Sequence, residues 1–175
     1  MDFVPGRIFR DPLLPGVPAA ERAACLMDAN RVLAALHDVP WQARGLTGFG
    51  RQGQYFSRQI ARWLRQYRAC VPEPVPVMER LADWLVAHIP PGADAAGPTT
   101  LTHGDYRLEN LMFHPTRPEV VAVLDWELST LGHPLGDLAY NTMAWHLPAG
   151  LLRGYGGQDL AAQGIPDEWT YIAAY

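Results

Sequence analysis

Between Leu101 and Trp126 the chain reads LTHGDYRLENLMFHPTRPEVVAVLDW, and no other stretch limits the possible folds so tightly. An apolar stub, Thr99–Thr102, runs into His103-Gly104-Asp105, and Asn110 follows within the same short loop. The apolar run Leu111–Phe113 and a turn over His114–Pro118 lead to a strand expected at Val120–Leu124, buried by its composition and ending on Asp125. Three polar groups therefore stand in one tight loop or at strand ends. In such places side chains converge on a ligand while the strands hold them still.

The spacing H-x-D-x-x-x-x-N, followed by a strand that ends in Asp, is the catalytic-loop and metal-loop pattern of kinase-type phosphotransferases. The chemistry explains the residue types. A substrate hydroxyl is the nucleophile, so one carboxylate, Asp105, must orient it and take its proton. The phosphates of ATP need Mg2+, a hard cation that prefers oxygen, and the Asn110 amide oxygen and the Asp125 carboxylate supply it. His103 is expected to pack beneath the loop and fix its backbone.

The ordered stretch HGDYRLENLMFHP…VLDWELSTLGHPLGDLAY resembles the aminoglycoside phosphotransferase/choline kinase-like family. Within that family it is most similar to the kinase-like domains fused to some acyl-CoA dehydrogenases. Gly104 stands where protein kinases carry arginine, and Trp126-Glu127 where they carry Phe-Gly. The resemblance implies an α+β, protein kinase-like fold: a mostly helical C-terminal lobe with a few short strands carrying the catalytic and metal loops. It implies ATP as donor, Mg2+ as cofactor and direct in-line transfer to the hydroxyl of a small molecule. The closest branch hints at a hydroxyacyl-type acceptor, and the wider family adds aminoglycosides, choline-like amines and sugars. Asp137, in HPLGDLAY, is expected to reach back to the backbone of the catalytic loop as a structural rather than catalytic residue. Residues 1–17 resemble the inter-lobe hinge and entry segment, with the backbone of Phe3 and Val4 facing the adenine. On this resemblance residues 1–175 are a C-lobe truncated at both ends, with the N-lobe absent.

All 14 basic residues are arginine. Without lysine the chain contains neither a Walker P-loop nor the N-lobe lysine that holds the α- and β-phosphates. A rival reading follows: a catalytically inactive kinase-like binding module, or a fragment that needs a separate N-lobe in cis or in trans. A net charge of −4 argues against a nucleic-acid surface. Cys25 and Cys70 form no metal spacing and read as free thiols of a reducing compartment. The N-terminus lacks a signal-peptide pattern, and no apolar run approaches the ~20 residues that span a bilayer. A cytoplasmic protein with no membrane partner is expected.

Elsewhere, helical periodicity predicts Pro18–His37, with Leu26, Met27, Val32, Leu33 and Leu36 as its apolar stripe and His37 at its C-terminal dipole. Gly48–Gly53 satisfies G-x-G-x-x-G, but no strand precedes it, so it reads as a helix-connecting loop. A helix over Gln52–Ala69 is expected to bury Phe56, Ile60, Trp63, Leu64 and Tyr67 and to carry Arg58, Arg62, Arg65 and Arg68 largely elsewhere, a solvated face with ion pairs. A proline-rich linker, Val71–Pro76, precedes a helix over Val77–His88 with Met78, Leu81, Trp84, Leu85 and His88 on one side. Pro90–Pro98 reads as a mobile loop, Glu127–His133 as a loop beside the metal site, and Gly150–Gly164 as a glycine-rich stretch before a short helix near Pro166. The six histidines show no zinc spacing. Neither Ser57 nor Ser129 lies in G-x-S-x-G.

Overall fold

Helix α1 (Ala19–His37) is the axis of the core. Pro18 suits the residue before a helix, because its fixed φ and missing N–H cost nothing there. Cys25, Leu26, Ala29, Leu33 and Leu36 then recur at helical spacing and are all buried. The computed structural model describes residues 3–95, 98–150 and 154–175. Residues 1–2 of the expected hinge, 96–97 of the Pro90–Pro98 loop and 151–153 of the glycine-rich stretch lie outside the described residues.

α5 (Leu160–Gln163) and α6 (Glu168–Ala173) pack on α1, α4 (Pro134–Thr142) packs on α6, and α2 (Tyr55–Cys70) and α3 (Pro76–Ala87) pack on each other. Among the described residues four short strands form two antiparallel pairs. β1 (Thr100–Thr102) pairs with β4 (Thr130–Gly132), setting Leu101 opposite Leu131. β2 (Leu111–Phe113) pairs with β3 (Val120–Val123), setting Leu111 opposite Val123, with an irregularity after Met112. Arg7 adds a further rung, exchanging two backbone hydrogen bonds of 2.8 Å with Phe113. The entry segment is thus bound to the strand that follows the catalytic loop. The tail closes the same core through Tyr155, Ile165 and Tyr171.

The structure corrects several expectations. α2 begins at Tyr55 rather than Gln52, because Gly53 and Gln54 both take left-handed backbone. Its first turn is capped from a distance: the amides of Phe56 and Ser57 donate to the Asp94 carboxylate at 2.8 and 3.0 Å. The stripe expected to be buried on α2 is only half-buried at Phe56, Ile60, Leu64 and Tyr67, and Trp63 is exposed at 46%. α2 and α3 pack on each other, and each buries a single residue, Tyr55 and Ala82. Between them lies a groove walled by Ile60, Trp63, Leu64, Tyr67, Leu81 and Leu85. Helical periodicity found the apolar side correctly, but it does not report whether anything covers that side. β3 is half-buried rather than buried, with Val121 exposed. Part of the expected 127–133 loop is β4, too short for a period-2 pattern to reveal.

Candidate active site

Asp137 sits in the first turn of α4, 1% exposed. One carboxylate oxygen accepts the His103 amide at 2.6 Å, and the other accepts the Gly104 amide at 2.8 Å. A buried carboxylate is tolerable only when so satisfied, and two orphan amides of the loop are satisfied in return. Gly104 has φ +82°, and a Cβ there would stand 2.6 Å from the Leu128 carbonyl oxygen. The sharp turn before Asp105 therefore requires glycine.

His103 is fully buried. Its Nε2 donates to the Leu124 carbonyl at 2.8 Å, and its Nδ1 accepts the Asp105 amide at 3.2 Å, which fixes the tautomer. The ring packs against Trp126, with centroids 4.9 Å apart. Through Leu124 the histidine joins the loop of Asp105 to the residue before Asp125. The Leu124 amide in turn donates to the Asn110 carbonyl at 2.8 Å. Asp105, Asn110 and Asp125 are thereby brought to one edge of the β2–β3 pair.

The Asn110 Nδ2 group donates to both the backbone carbonyl and the Oδ2 of Asp105, each at 2.9 Å. Its Oδ1 is left as the donor atom that a cation would meet. Asp125 lies two residues beyond β3, exposed, with φ 63° and ψ 60°. Left-handed backbone at a residue other than glycine costs of order 1 kcal/mol and persists where the surroundings demand it. No hydrogen bond or ring contact joins Phe3 or Val4 to these residues among the described residues, and both side chains are exposed.

Several residues of the site are missed by the sequence reading. Arg107, inside the motif, places Nε 3.4 Å from Asp105 Oδ2 and Nη1 3.2 Å from Glu109 Oε2. Tyr140, one turn beyond Asp137 on α4, is close enough to Asp105 for the carboxylate to act on its phenol. Burial first, then the Asp105 carboxylate, push that phenol up. Tyr106 is buried and donates to the Ala29 carbonyl at 2.7 Å, tying the loop to α1. Only the i, i+3 spacing of Asp137 and Tyr140 was readable beforehand. The remaining histidines make local contacts: His88 with the Trp84 carbonyl, His114 within its own turn, His133 as the cap of α4 and His146 with Glu168. His37, at the end of α1, instead reaches Asp137 from below.

Comparison with known proteins sets this geometry in context. The chain is 47% identical over 177 residues to mouse acyl-CoA dehydrogenase family member 10, covering all of the chain and 16% of that protein. A Ralstonia eutropha protein, provisionally named an aminoglycoside phosphotransferase, superimposes with a TM-score of 0.92 at 54% identity, over the whole chain and 53% of that structure. The macrolide 2'-phosphotransferase type I shares the fold at 23% identity and a TM-score of 0.56, over 90% of the chain and 46% of its own. The chain therefore spans about a sixth of the first relative and about half of the second. The kinase-like architecture of these neighbours is the one described above, and the APH description, phosphotransferase enzyme family, matches from end to end. By that match the chain belongs to the phosphotransferase enzyme family over residues 1–175.

Proposed function

We propose that the chain is the C-lobe of an ATP- and Mg2+-dependent kinase that moves the γ-phosphoryl group onto a hydroxyl of a small molecule. The observation that carries this reading is the double link through Leu124, which holds the loop of Asp105 and Asn110 against the approach to Asp125. Asp105 orients the acceptor hydroxyl and takes its proton as the bond to the γ-phosphorus forms and the bond from that phosphorus to the bridging oxygen breaks, releasing ADP. Asn110 keeps that carboxylate in place through Nδ2. The donor set fits Mg2+: Asn110 Oδ1 and an exposed Asp125 carboxylate are two hard oxygens, and phosphates and water complete such a shell. An ion held by these two residues would supply charge neutralisation to the phosphates of the donor.

Beside Asp105 a cavity of about 140 Å3 opens between α1, the turn Leu108–Asn110 and α4. Arg107 and Tyr140, both neighbours of Asp105, line it together with Arg10, Glu109, Trp145 and Tyr155. Aromatic walls, with Arg10 as a second guanidinium besides the Arg107 that pairs with Asp105 and Glu109, suit a hydroxyacyl-type acceptor, apolar with an anionic end. The chain has no lysine, so the group that holds the α- and β-phosphates comes from outside these residues, in cis or in trans. Two unpaired thiols, Cys25 buried and Cys70 exposed, suit a cytoplasmic setting. Among the described residues no helix is long and apolar enough to cross a membrane.

The test joins the chain to the part of the Ralstonia relative that it does not cover, and follows phosphoryl transfer from ATP to a panel of hydroxy acids. Asp105→Asn is expected to abolish transfer while magnesium-ATP still binds by calorimetry, and Asp125→Asn to lose that binding. Transfer at an unchanged rate in Asp105→Asn would remove the base assignment.

A further inference from the structure

His37 ends α1, and its imidazole is 4% exposed. Nε2 lies 3.2 Å from Asp137 Oδ2, the same oxygen that accepts the His103 amide, while Nδ1 meets the hydroxyl of Tyr175 just beyond α6. A carboxylate that already accepts two amide protons can only accept from an imidazole, so Nε2 carries hydrogen. The Tyr175 hydroxyl then has the role of donor to Nδ1. The chain of contacts is continuous: Tyr175, His37, Asp137, and then the amides of His103 and Gly104, one residue before Asp105.

We propose that His37 is a positioning residue for the catalytic loop, and that Tyr175 sets its tautomer. Two loop amides draw Asp137 toward β1, and the His37 N–H opposes them from the α1 side. The carboxylate is thereby held at the height at which both amides reach it. Fully satisfied buried networks rigidify what they touch, and an outer hydrogen bond that fixes an imidazole also fixes its partner. The docking of the tail is coupled in this way to the geometry around Asp105. The proposed catalytic consequence rests on the reading of Asp105 as the base, whereas the hydrogen-bond relay does not.

The experiment uses the 175-residue chain without nucleotide. Ring 15N shifts of His37 are expected to show hydrogen on Nε2 and a bare, accepting Nδ1. Hydrogen exchange at the amides of His103 and Gly104 is expected to speed up at least ~10-fold in His37→Phe, relative to the Leu33 amide of the same helix. His37→Gln, whose amide can donate from nearly the same place, should restore much of that protection. Should His37→Phe fail to fold, Tyr175→Phe takes its place: it removes one oxygen and should let hydrogen appear on both ring nitrogens in exchange. Hydrogen found on Nδ1 alone, or loop amides as protected in the variants as in the parent, would overturn the proposal. In the fused kinase, His37→Phe should lower kcat with little change in KM for ATP. If Asp105→Asn proved active while the exchange pattern held, the base assignment would fall and the relay would stand.

Discussion

Arg107 stands between two carboxylates of its own loop, with Nε 3.4 Å from Asp105 Oδ2 and Nη1 3.2 Å from Glu109 Oε2. Its side chain is 48% exposed, so these pairs are screened and contribute about 0–1 kcal/mol to folding. If Asp105 is the base, the same guanidinium would stand near a transferring phosphoryl group, where a fixed cation is far more effective against developing negative charge. Arg107→Ala is therefore expected to leave the melting temperature nearly unchanged and to lower kcat about tenfold or more, with Arg107→Lys intermediate. Parallel thermal melts and transfer assays on the fused kinase separate the two effects.

Asp137→Ala should act mainly on stability. It removes the carboxylate that accepts the His103 and Gly104 amides, the first buried and the second half-buried. The expected cost is about 2–4 kcal/mol, read as a lower urea midpoint at unchanged slope. Asp137→Asn retains one accepting oxygen and should fall between. Unchanged denaturation curves would show that the loop does not depend on this anchor.

At Gly104 the backbone admits no side chain. Gly104→Ala combines a left-handed φ with a contact of 2.6 Å to a backbone oxygen, which cannot swing aside as a side-chain end can. A loss of about 1–3 kcal/mol is expected. Transfer should fall further than stability alone accounts for, since the displaced turn carries Asp105. Comparing activity well below the melting point with the calorimetric melt tests this.

Asp94 gives the chain a pH dependence. Partial desolvation pushes its carboxyl up, but the bonds from Ser57 and from the Phe56 amide, with the Arg58 charge, outweigh that and hold it below the usual aspartate range. A carboxylate with a lowered folded pKa contributes stability fully above its unfolded value of about 3.9 and loses it as pH falls through the folded one. Asp94→Ala should therefore cost about 1 kcal/mol near neutrality, as the loss of a helix cap does, and the gap between variant and parent should narrow as pH falls below about 4. Denaturation at pH 7 and pH 3 measures both ends.

The site was legible because its polar residues are close in sequence and their spacing is set by chemistry. His103, Asp105 and Asn110 share one loop, and Asp125 is one hairpin away. What stayed hidden depends on pairs far apart in the chain. His37 and Asp137 meet across one hundred residues, Asp28 accepts the Val120 amide from α1, and Asp94 caps a helix that begins well before it. No periodicity encodes such pairs. The reverse limit appears at α2 and α3, where the apolar stripes are real but the neighbours that would cover them are not encoded in the stripe. Long helices with a buried stripe, α1 above all, were readable almost to the residue, because Pro18 and Asp38 bracket a pattern that burial alone explains.

The left-handed backbone of Asp125 also bears on how this protein responds to selection. Glycine adopts φ 63° without cost, so Asp125→Gly should fold at least as well as the parent while losing its carboxylate. A library screened for thermal resistance or soluble yield would enrich glycine at this position and deplete kinase activity in the same round. Homologues that have abandoned catalysis should drift toward glycine or asparagine here, and that drift would be a genetic mark of retirement.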